Sequence, residues 1–512
     1  MNEFPPYFQK RCAEDQLDVI SLLSERLTEG SNRCVIAYEG REVCVAEMRA
    51  RVAHVQAQLC RAGLKPRDRV AVMLSNSVEH IALIYALILY GAVWVPVNVR
   101  LRGAGLVYIV EHSRPSLMIF DSEFEGAVGG LSGVQTFRLE EWSGFPQPPV
   151  YQELVCNRDV MPRDALCIIY TSGTTGAPKG VVFTHRMLRI ASEAALMVAN
   201  IHQGDRAFLW EPLCHIGGAQ MLMMPFLVDA RLHVIKRFSS SQFWKQWRSS
   251  KATHLHYLGG VLDVLMQLPE SGSIRVAWGA GVSSQAWDSI RKRFGCELRE
   301  CYGMTECSSF ATLNTSGTPG SIGSALPWIG VALLDELGQP VPQGEIGEIV
   351  LSSDVEGVFL PEYLDNPEAT RQAMKNGKLH TGDMARQTAN GEYIFVGRRT
   401  DSMRVRGENV SAWEVERVFA EHPAIKAAAA ISVPSSIGEQ DIMLYVQFEP
   451  KESVSWSDLV AWAKPLLASF QLPRYYASIE QFELTPSERI RKHLLPRSVD
   501  GAWDRTLSIA AI

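Results

Sequence analysis

The sequence predicts an α/β protein: a large N-terminal domain with stacked, parallel-rich sheets covered by helices and a small antiparallel unit, then a small α+β C-terminal domain. Two observations carry this prediction. Apolar runs rich in β-branched residues alternate with segments of helical periodicity over most of the chain, as expected for parallel strands buried on both faces. The 512 residues are 46% hydrophobic, which supplies large cores and excludes collagen-like, disordered and disulfide-scaffold proteins.

Strand and helix signals alternate through the first two hundred residues. Residues 69–74, 117–120 and 165–170 are short apolar runs that predict buried strands. Residues 46–62 and 186–199 are longer and amphipathic, so they predict helices. This alternation is typical of strand–helix–strand units.

Residues 81–97 form an uncharged apolar stretch that resembles a membrane span. A span needs about 20 apolar residues, and this stretch contains Gly91 and Pro96. A buried helix over 81–90, closed by Gly91, followed by a buried strand beginning at 93–97 explains the pattern better. No membrane span is expected.

The pattern of predicted strands and helices changes after about Gly320. Short strand signals at 348–351 and 392–396 lie between glycine-rich turns and indicate the small antiparallel unit. Beyond Asp401, helix signals at 412–421 and 457–467 enclose strand signals at 427–433 and 443–449. We therefore predict domains at 1–399 and 400–512, joined near residue 400.

Charge and cysteine content narrow the function classes. The formal net charge is −6, whereas nucleic-acid binders usually carry a basic balance. The ten cysteines are scattered without a CxxC pair, which is typical of reduced thiols in a cytoplasmic enzyme rather than of a disulfide framework.

A loop rich in glycine and hydroxyl residues follows the strand predicted at 165–170. The segment 171–180 reads TSGTTGAPKG. Glycines let backbone N–H groups approach phosphate oxygens, hydroxyls add donors, and Lys179 adds a positive charge. The loop is not a Walker A motif, because Pro178 stands where that motif requires glycine. It predicts a different kind of phosphate-binding loop.

This loop resembles the signature of the adenylate-forming enzymes, which include acyl-CoA synthetases, peptide-synthetase adenylation domains and luciferases. Four further motifs follow in the family's order: YGMTE at 302–306, LHTGD at 379–383, GRRTD at 397–401 and RGENVSAWEVE at 406–416. The resemblance covers about 450 residues and implies that the C-terminal domain is mobile, rotating at a hinge near Thr400. It also implies an enzyme that activates a carboxylic acid with ATP and Mg²⁺ and transfers the acyl group to coenzyme A.

The resemblance assigns roles to single residues. Glu306 would hold Mg²⁺, Tyr302 would stack on adenine, and Asp383 and Arg398 would contact the ribose or phosphates. His215 would line the channel for the acyl and pantetheine groups, and Gly407 would approach the pantetheine tunnel. The remaining nucleotide-binding residues implied in this way are Thr171, Ser172, Gly173, Thr174, Thr175, Gly176, Lys179, Gly279, Ala280, Gly303 and Thr305.

The sequence departs from the family near its C-terminus. The family usually carries a glycine–lysine pair there, whose lysine bridges the acid carboxylate and the α-phosphate. Here the segment 485–495 reads TPSERIRKHLL, which puts Glu488 at the glycine position and Arg489 at the lysine position. Arg489 could bridge two anions through its guanidinium fork, Lys492 could substitute, or adenylation could be slow or lost.

Within the family, the chain looks most like the crotonobetaine/carnitine–CoA ligase branch. The segments CHIGG (214–218), HYLGG (256–260) and WGAG (278–281) correspond to the family's acyl pocket. Trp278 and Tyr257 could face a quaternary ammonium through cation–π contacts, or serve as plain apolar walls. The expected partners are a carboxylic acid, ATP and CoA, with homo-oligomer formation possible and nucleic acid excluded. Two alternatives stay open: an enzyme that loads a carrier-protein thiol, and a non-catalytic nucleotide- or acyl-CoA-binding protein.

Overall fold

The computed structural model describes residues 18–142, 153–171, 178–398, 402–405, 408–435, 440–467, 471–484 and 490–509. The chain forms two compact units. Of the described residues, the first unit comprises 18–142, 153–171, 178–331 and 351–379, and the second comprises 332–350 and the described residues from 380 to 509. The domain limits at 1–399 and 400–512 stay a prediction, and the hinge expected at Thr400 lies outside the described residues.

The strands of the described residues are numbered in chain order. They are β1 (Cys34–Tyr38), β2 (Arg41–Cys44), β3 (Arg69–Met73), β4 (Val93–Pro96), β5 (Leu117–Phe120), β6 (Gln135–Arg138), β7 (Ala165–Thr171), β8 (Lys179–Thr184), β9 (Arg206–Leu209), β10 (Arg231–Val234), β11 (His254–Leu258), β12 (Val276–Ala280), β13 (Glu297–Met304), β14 (Ser309–Asn314), β15 (Ser324–Ala325), β16 (Gly330–Leu334), β17 (Ile346–Ser352), β18 (Met374–Lys375), β19 (Lys378–Gln387), β20 (Tyr393–Arg398), β21 (Ser402–Val405), β22 (Glu408–Ser411), β23 (Ile425–Pro434), β24 (Gln440–Phe448), β25 (Tyr475–Ser478) and β26 (Trp503–Asp504).

The helices are numbered in the same way. They are α1 (Val19–Thr28), α2 (Val45–Arg61), α3 (Val78–Tyr90), α4 (Gly103–Ser113), α5 (Glu125–Val128), α6 (Leu139–Trp142), α7 (His185–Ala199), α8 (Ile216–Ala219), α9 (Met224–Leu227), α10 (Ser240–Ser250), α11 (Gly259–Gln267), α12 (Trp287–Phe294), α13 (Pro367–Ala373), α14 (Ala412–Ala420), α15 (Trp456–Ala463) and α16 (Arg505–Ile509), with 3-10 turns at Ser122–Phe124, Thr305–Cys307 and Lys492–Leu494.

Two large sheets form the first unit. One has the order β6-β5-β3-β4-β7-β8, and all its pairs are parallel except β7–β8. The other has the order β15-β14-β13-β12-β11-β9-β10-β1-β2. Its central strands are parallel, and antiparallel pairs lie at both edges. The predicted α/β class with parallel-rich sheets is confirmed.

The apolar stretch at 81–97 forms the predicted buried helix and strand. Helix α3 begins after Ser77, whose hydroxyl accepts a hydrogen bond from the His80 N–H, and it ends at Gly91 in the left-handed region (φ 79°). A side chain at Gly91 would also meet Val160, 2.6 Å away. Among the described residues, no helix combines the length and apolarity needed to traverse a bilayer.

Residues of the second unit form most of the smaller sheets. Strands β23-β24-β25-β26 form one sheet, and residues of helices α14 and α15, including Phe419 and Leu459, share its apolar core with Tyr476. Antiparallel pairing of β19 with β20 confirms the antiparallel unit predicted around 392–396. The predicted α+β segment is confirmed by α14, β23, β24 and α15.

Candidate active site

The two stems of the phosphate loop form an antiparallel pair. Thr171 at the end of β7 lies opposite Lys179 at the start of β8, and its hydroxyl donates a hydrogen bond to the Lys179 carbonyl (3.5 Å). Between them, the predicted phosphate-binding residues Ser172, Gly173, Thr174, Thr175 and Gly176 lie outside the described residues. The structure thus brings together the two described members of this motif.

A tyrosine that the sequence did not single out connects the lysine to the predicted magnesium ligand. The Lys179 ammonium lies 5.2 Å from the centre of the Tyr363 ring, a distance suited to a cation–π contact. The Tyr363 hydroxyl donates a hydrogen bond to Glu306 Oε1 (2.8 Å). Glu306 is only 5% exposed, so this hydroxyl helps to solvate a buried carboxylate.

Backbone pairing explains why Tyr363 lies there. The Leu364 N–H donates to the Gly180 carbonyl (2.8 Å), and the Leu360 N–H donates to the Glu306 carbonyl (2.9 Å). Residues 360–364 therefore lie between β8 and the turn that carries Glu306. No local pattern marks this segment in the sequence, because its position depends on partners far away along the chain.

Glu306 is suited to Mg²⁺ by its chemistry. Mg²⁺ is usually bound by one or two carboxylates together with substrate phosphates rather than by an all-protein cage. Within the part of the chain that is described, no cluster of three or more His, Cys, Asp or Glu residues could hold a metal ion alone. A single buried carboxylate at the end of β13, close to the lysine of a phosphate-loop stem, fits a metal that arrives with ATP.

The other predicted nucleotide residues lie at the carboxyl ends of neighbouring strands. Gly279 and Ala280 end β12, and Tyr302 and Gly303 lie at the end of the adjacent β13. Side chains at the two glycines would overlap the carbonyl oxygens of neighbouring strands, so glycine is required at both. Ligands of open α/β sheets bind at this edge. Thr305 follows in the 3-10 turn that also holds Glu306.

A buried carboxylate fixes the turn after β12. Glu300 accepts hydrogen bonds from the Tyr257 hydroxyl (2.6 Å) and the Gly281 N–H (2.5 Å). The Tyr257 ring belongs to an apolar core cluster with Trp247 and Phe294. The Tyr257 ring is therefore part of this core, and its two predicted roles, a cation–π partner or a plain apolar wall of the acyl pocket, stay predictions.

The three segments expected to form the acyl pocket lie close together. His256 Nδ1 lies 2.6 Å from Glu211 Oε2, and the His256 ring lies 5.2 Å from the Trp278 ring, centre to centre. Both members of the pair are more than nine-tenths buried. Gly217 allows the loop to pack on the Glu211 carboxylate, because a side chain there would overlap it. Glu211 lies three residues before the segment CHIGG and carries no local signal that marks it as a partner of His256.

His215 lies where the two sheets of the first unit meet. Its Nε2 atom is 3.2 Å from Nδ2 of Asn98, which follows β4 of the other sheet. Burial lowers the pKa of His215, so the imidazole is neutral near pH 7. Burial raises the pKa of the neighbouring Cys214 to about 12, so its thiol is not a ready nucleophile.

The predicted ribose contacts belong to the second unit. Asp383 on β19 lies opposite Arg398 on β20, and Oδ1 of the aspartate is 3.1 Å from Nε of the arginine. The Asp383 side chain is almost fully buried, whereas that of Arg398 is one-third exposed. Gly407 lies outside the described residues.

The C-terminal motif is described only on either side of its altered pair. Glu488 and Arg489 lie outside the described residues, and an antiparallel bridge joins Leu484 to Ile490 around them. Lys492 Nζ lies 2.7 Å from Glu416 Oε1. The same carboxylate oxygen accepts the Ala430 N–H (2.6 Å), so Lys492 participates in a network internal to this unit.

Comparison with known proteins identifies the family. The AMP-binding enzyme family matches residues 23–360. The chain is 30% identical over 439 residues to the crotonobetaine/carnitine–CoA ligase of Salmonella paratyphi A, covering 81% of this chain and 85% of that protein. The corresponding ligase of Salmonella heidelberg is 29% identical with the same coverage.

Solved structures share the fold. The o-succinylbenzoate CoA synthetase MenE of Bacillus subtilis, in complex with its acyl-adenylate intermediate, is similar with a TM-score of 0.85 at 24% identity. ATP-bound MatB of Rhodopseudomonas palustris has a TM-score of 0.83 at 22% identity. Each comparison covers 93% of this chain and 98% of the other. The chain therefore belongs to the AMP-binding enzyme family, as an ATP- and magnesium-dependent acid–CoA ligase.

Proposed function

We propose that this ligase activates a small zwitterionic acid of the carnitine type, and that the buried Glu211–His256 pair recognises its cationic group. The pair lies beside Trp278 in the segments that correspond to the family's acyl pocket. Glu211 is an acidic side chain that is almost fully buried, and His256 Nδ1 is its hydrogen-bond partner. Buried charges are unfavourable unless they are paired, so a trimethylammonium group is a better occupant than a plain hydrocarbon.

The proposed reaction has two steps. The acid carboxylate attacks the α-phosphate of ATP, which forms an acyl-adenylate and releases pyrophosphate. The CoA thiol then attacks the acyl carbonyl, which forms the thioester and releases AMP. Charge develops on phosphate oxygens in the first step, so positioning and electrostatic stabilisation supply most of the catalysis.

Different residues of the first unit bind the phosphates, the adenine, the Mg²⁺ and the acid. Lys179 and the loop beginning at Thr171 bind the β- and γ-phosphates, and Tyr302 binds adenine. Glu306 holds Mg²⁺, with the Tyr363 hydroxyl fixing its carboxylate. When bound, Mg²⁺ neutralises charge on the phosphate oxygens. Neutral His215 lines the acyl channel without adding a charge.

Arg489 is our choice for the bridge between the acid carboxylate and the α-phosphate. The competing candidate, Lys492, has its ammonium bound by Glu416 within the second unit. An arginine is always charged and can contact two anions at once through its fork. We therefore assign adenylation to Arg489 and an anchoring role to Lys492.

Replacing Lys492 with alanine separates these roles. We expect the free energy of unfolding to fall by about 1 kcal/mol, because the pair with Glu416 is largely shielded from water, while pyrophosphate release stays near wild type. Denaturant unfolding and a pyrophosphate assay measure the two quantities. Loss of adenylation without loss of stability would instead make Lys492 the bridging residue.

The substrate proposal is tested by pyrophosphate release from Mg·ATP, with and without CoA. The acid panel contains carnitine, crotonobetaine and an analogue in which a carbon atom replaces the ammonium nitrogen. We call this acid the uncharged analogue, because it keeps the carboxylate but lacks the cationic group. We expect the cationic acids to exceed the analogue by about tenfold or more in kcat/KM, as expected from a cation contact worth about 1–2 kcal/mol. Equal turnover of the analogue would favour an acid recognised by shape alone.

Glu211→Gln provides the matched variant. The amide keeps the size of the side chain and can still accept from His256, but it removes the negative charge. We expect kcat/KM to fall about tenfold for the cationic acids and little for the uncharged analogue. An equal fall for both would indicate damage to the pocket rather than loss of charge recognition.

The same assay also tests which thiol accepts the acyl group. CoA thioester formation in the assay would exclude an enzyme that requires a carrier protein, and release of pyrophosphate would exclude a non-catalytic binding protein. We also propose a cytoplasmic location, supported by the nine cysteines of the described residues, all of which are free thiols. Homo-oligomer formation stays a prediction.

A further inference from the structure

Two aromatic side chains of helix α4 contact both stems of the phosphate loop. Tyr108 and His112 are four residues apart, so they lie on one face of the helix. The Tyr108 hydroxyl donates a hydrogen bond to the Pro178 carbonyl (3.0 Å). His112 Nδ1 shares a hydrogen bond with the Tyr170 hydroxyl (2.8 Å). Tyr170 directly precedes Thr171, and Pro178 directly precedes Lys179.

The three rings also pack on each other. Tyr108 and His112 are stacked, with ring centres 5.3 Å apart and planes inclined by 24°. Tyr170 meets both rings edge-on, at 6.5 Å from Tyr108 and 5.8 Å from His112. Such edge-to-face pairs add to the stability of a cluster beyond burial alone. All three side chains are partly buried, which protects the hydrogen bonds from water.

The pairing of β7 with β8 does not extend to Pro178. The pairing of Tyr170 with Gly180 and of Thr171 with Lys179 already joins β7 to β8. Pro178 lies beyond the last pair, and its ring leaves no N–H with which to continue the ladder. The Tyr108 hydroxyl therefore fixes a described stem residue that lies outside the described strand pairs.

We propose that Tyr108 and His112 are positioning residues that hold the ends of the phosphate loop at a fixed separation for Mg·ATP. The inference rests on the proposed role of residues 171–179 in binding phosphate. Stems held at a fixed separation present Thr171 and Lys179 to the phosphates without further rearrangement, and such pre-organisation makes binding tighter. The residues act through Tyr170 and Pro178, without touching the reacting atoms.

The variants Tyr108→Phe and Tyr170→Phe test this by removing one hydroxyl each while keeping the rings. We expect the Kd of Mg·ATP, measured by calorimetry, and its KM to rise about three- to tenfold per hydroxyl, as for loss of one hydrogen bond. The KM of the carboxylic acid should stay unchanged, since no contact to the acyl segments is removed.

Tyr90→Phe is the matched control. Its hydroxyl also donates to a backbone carbonyl, that of Leu64 (2.7 Å), in a partly buried setting at the end of α3. We expect a similar change in Tm but no change in the Kd of Mg·ATP. An unchanged Kd in the two loop variants, or equal increases for ATP and the acid, would overturn the inference. Calorimetry of ATP needs no turnover, so failure of this inference is distinguishable from a wrong acid substrate.

Discussion

Replacing Arg489 with alanine is expected to reduce pyrophosphate release by about 10²–10³-fold, the usual effect of removing one group that stabilises developing charge. In the first half-reaction two anions, the acid carboxylate and the α-phosphate, must approach each other, and a guanidinium between them offsets their repulsion. The second half-reaction joins a thiol to an acyl-adenylate and has no such pair. With synthetic acyl-adenylate and CoA as substrates, thioester formation should be nearly unchanged.

Two companion variants show whether the charge or its position matters. Arg491→Ala removes the same charge two residues away, where the partly exposed guanidinium pairs with Glu483 at 3.5 Å, and should leave both half-reactions intact. Arg489→Lys restores the residue type usual in the family and should recover most of the adenylation rate. Equal losses in both half-reactions of Arg489→Ala, or normal pyrophosphate release, would remove Arg489 from the proposed role.

Local sequence patterns were sufficient for the parts of the fold whose cause is local. The strand at Leu117–Phe120 was predicted to the residue, because four apolar side chains between polar neighbours allow little else. Helix α3 and its end at Gly91 followed from composition and from the left-handed cap. Strand β11 carried no such signal. It reads HLHYL, and its histidines are buried with partners from other segments, as His256 is with Glu211.

The same distinction applies to the candidate site. The phosphate loop and the turn containing Glu306 are contiguous motifs, so a single sequence reveals them. Tyr363 contacts Glu306 across 57 residues, and Tyr108 contacts Pro178 across 70. Neither tyrosine has a neighbour in sequence that hints at its partner. Only the folded chain brings such pairs together, and these are the contacts that hold the predicted motifs in place.

Glu306→Gln is expected to lower kcat/KM for Mg·ATP by about 10²-fold at low Mg²⁺ concentration. The amide fills the same volume and can still accept the Tyr363 hydroxyl, so folding is preserved while the negative charge is lost. A neutral oxygen is a poor ligand for Mg²⁺, and a higher Mg²⁺ concentration should therefore be needed for half-maximal pyrophosphate release at fixed ATP.

Two variants in the segment 360–364 decide how that result is interpreted. Tyr363→Phe keeps the carboxylate of Glu306 but removes its hydrogen bond from the tyrosine. It should lower kcat/KM for Mg·ATP about three- to tenfold and change the Mg²⁺ concentration for half-maximal pyrophosphate release little. Glu362→Gln removes an equivalent charge from the exposed residue that precedes Tyr363 and should leave kcat/KM for Mg·ATP unchanged. If Glu306→Gln instead has wild-type kinetics across the Mg²⁺ titration, the carboxylate is structural and the metal is held by the phosphates and other residues. The three variants remove the charge of Glu306, its hydrogen bond and a surface charge, respectively. Together they distinguish metal binding from a general disturbance of the turn at Thr305–Cys307, because only metal binding predicts that added Mg²⁺ restores activity.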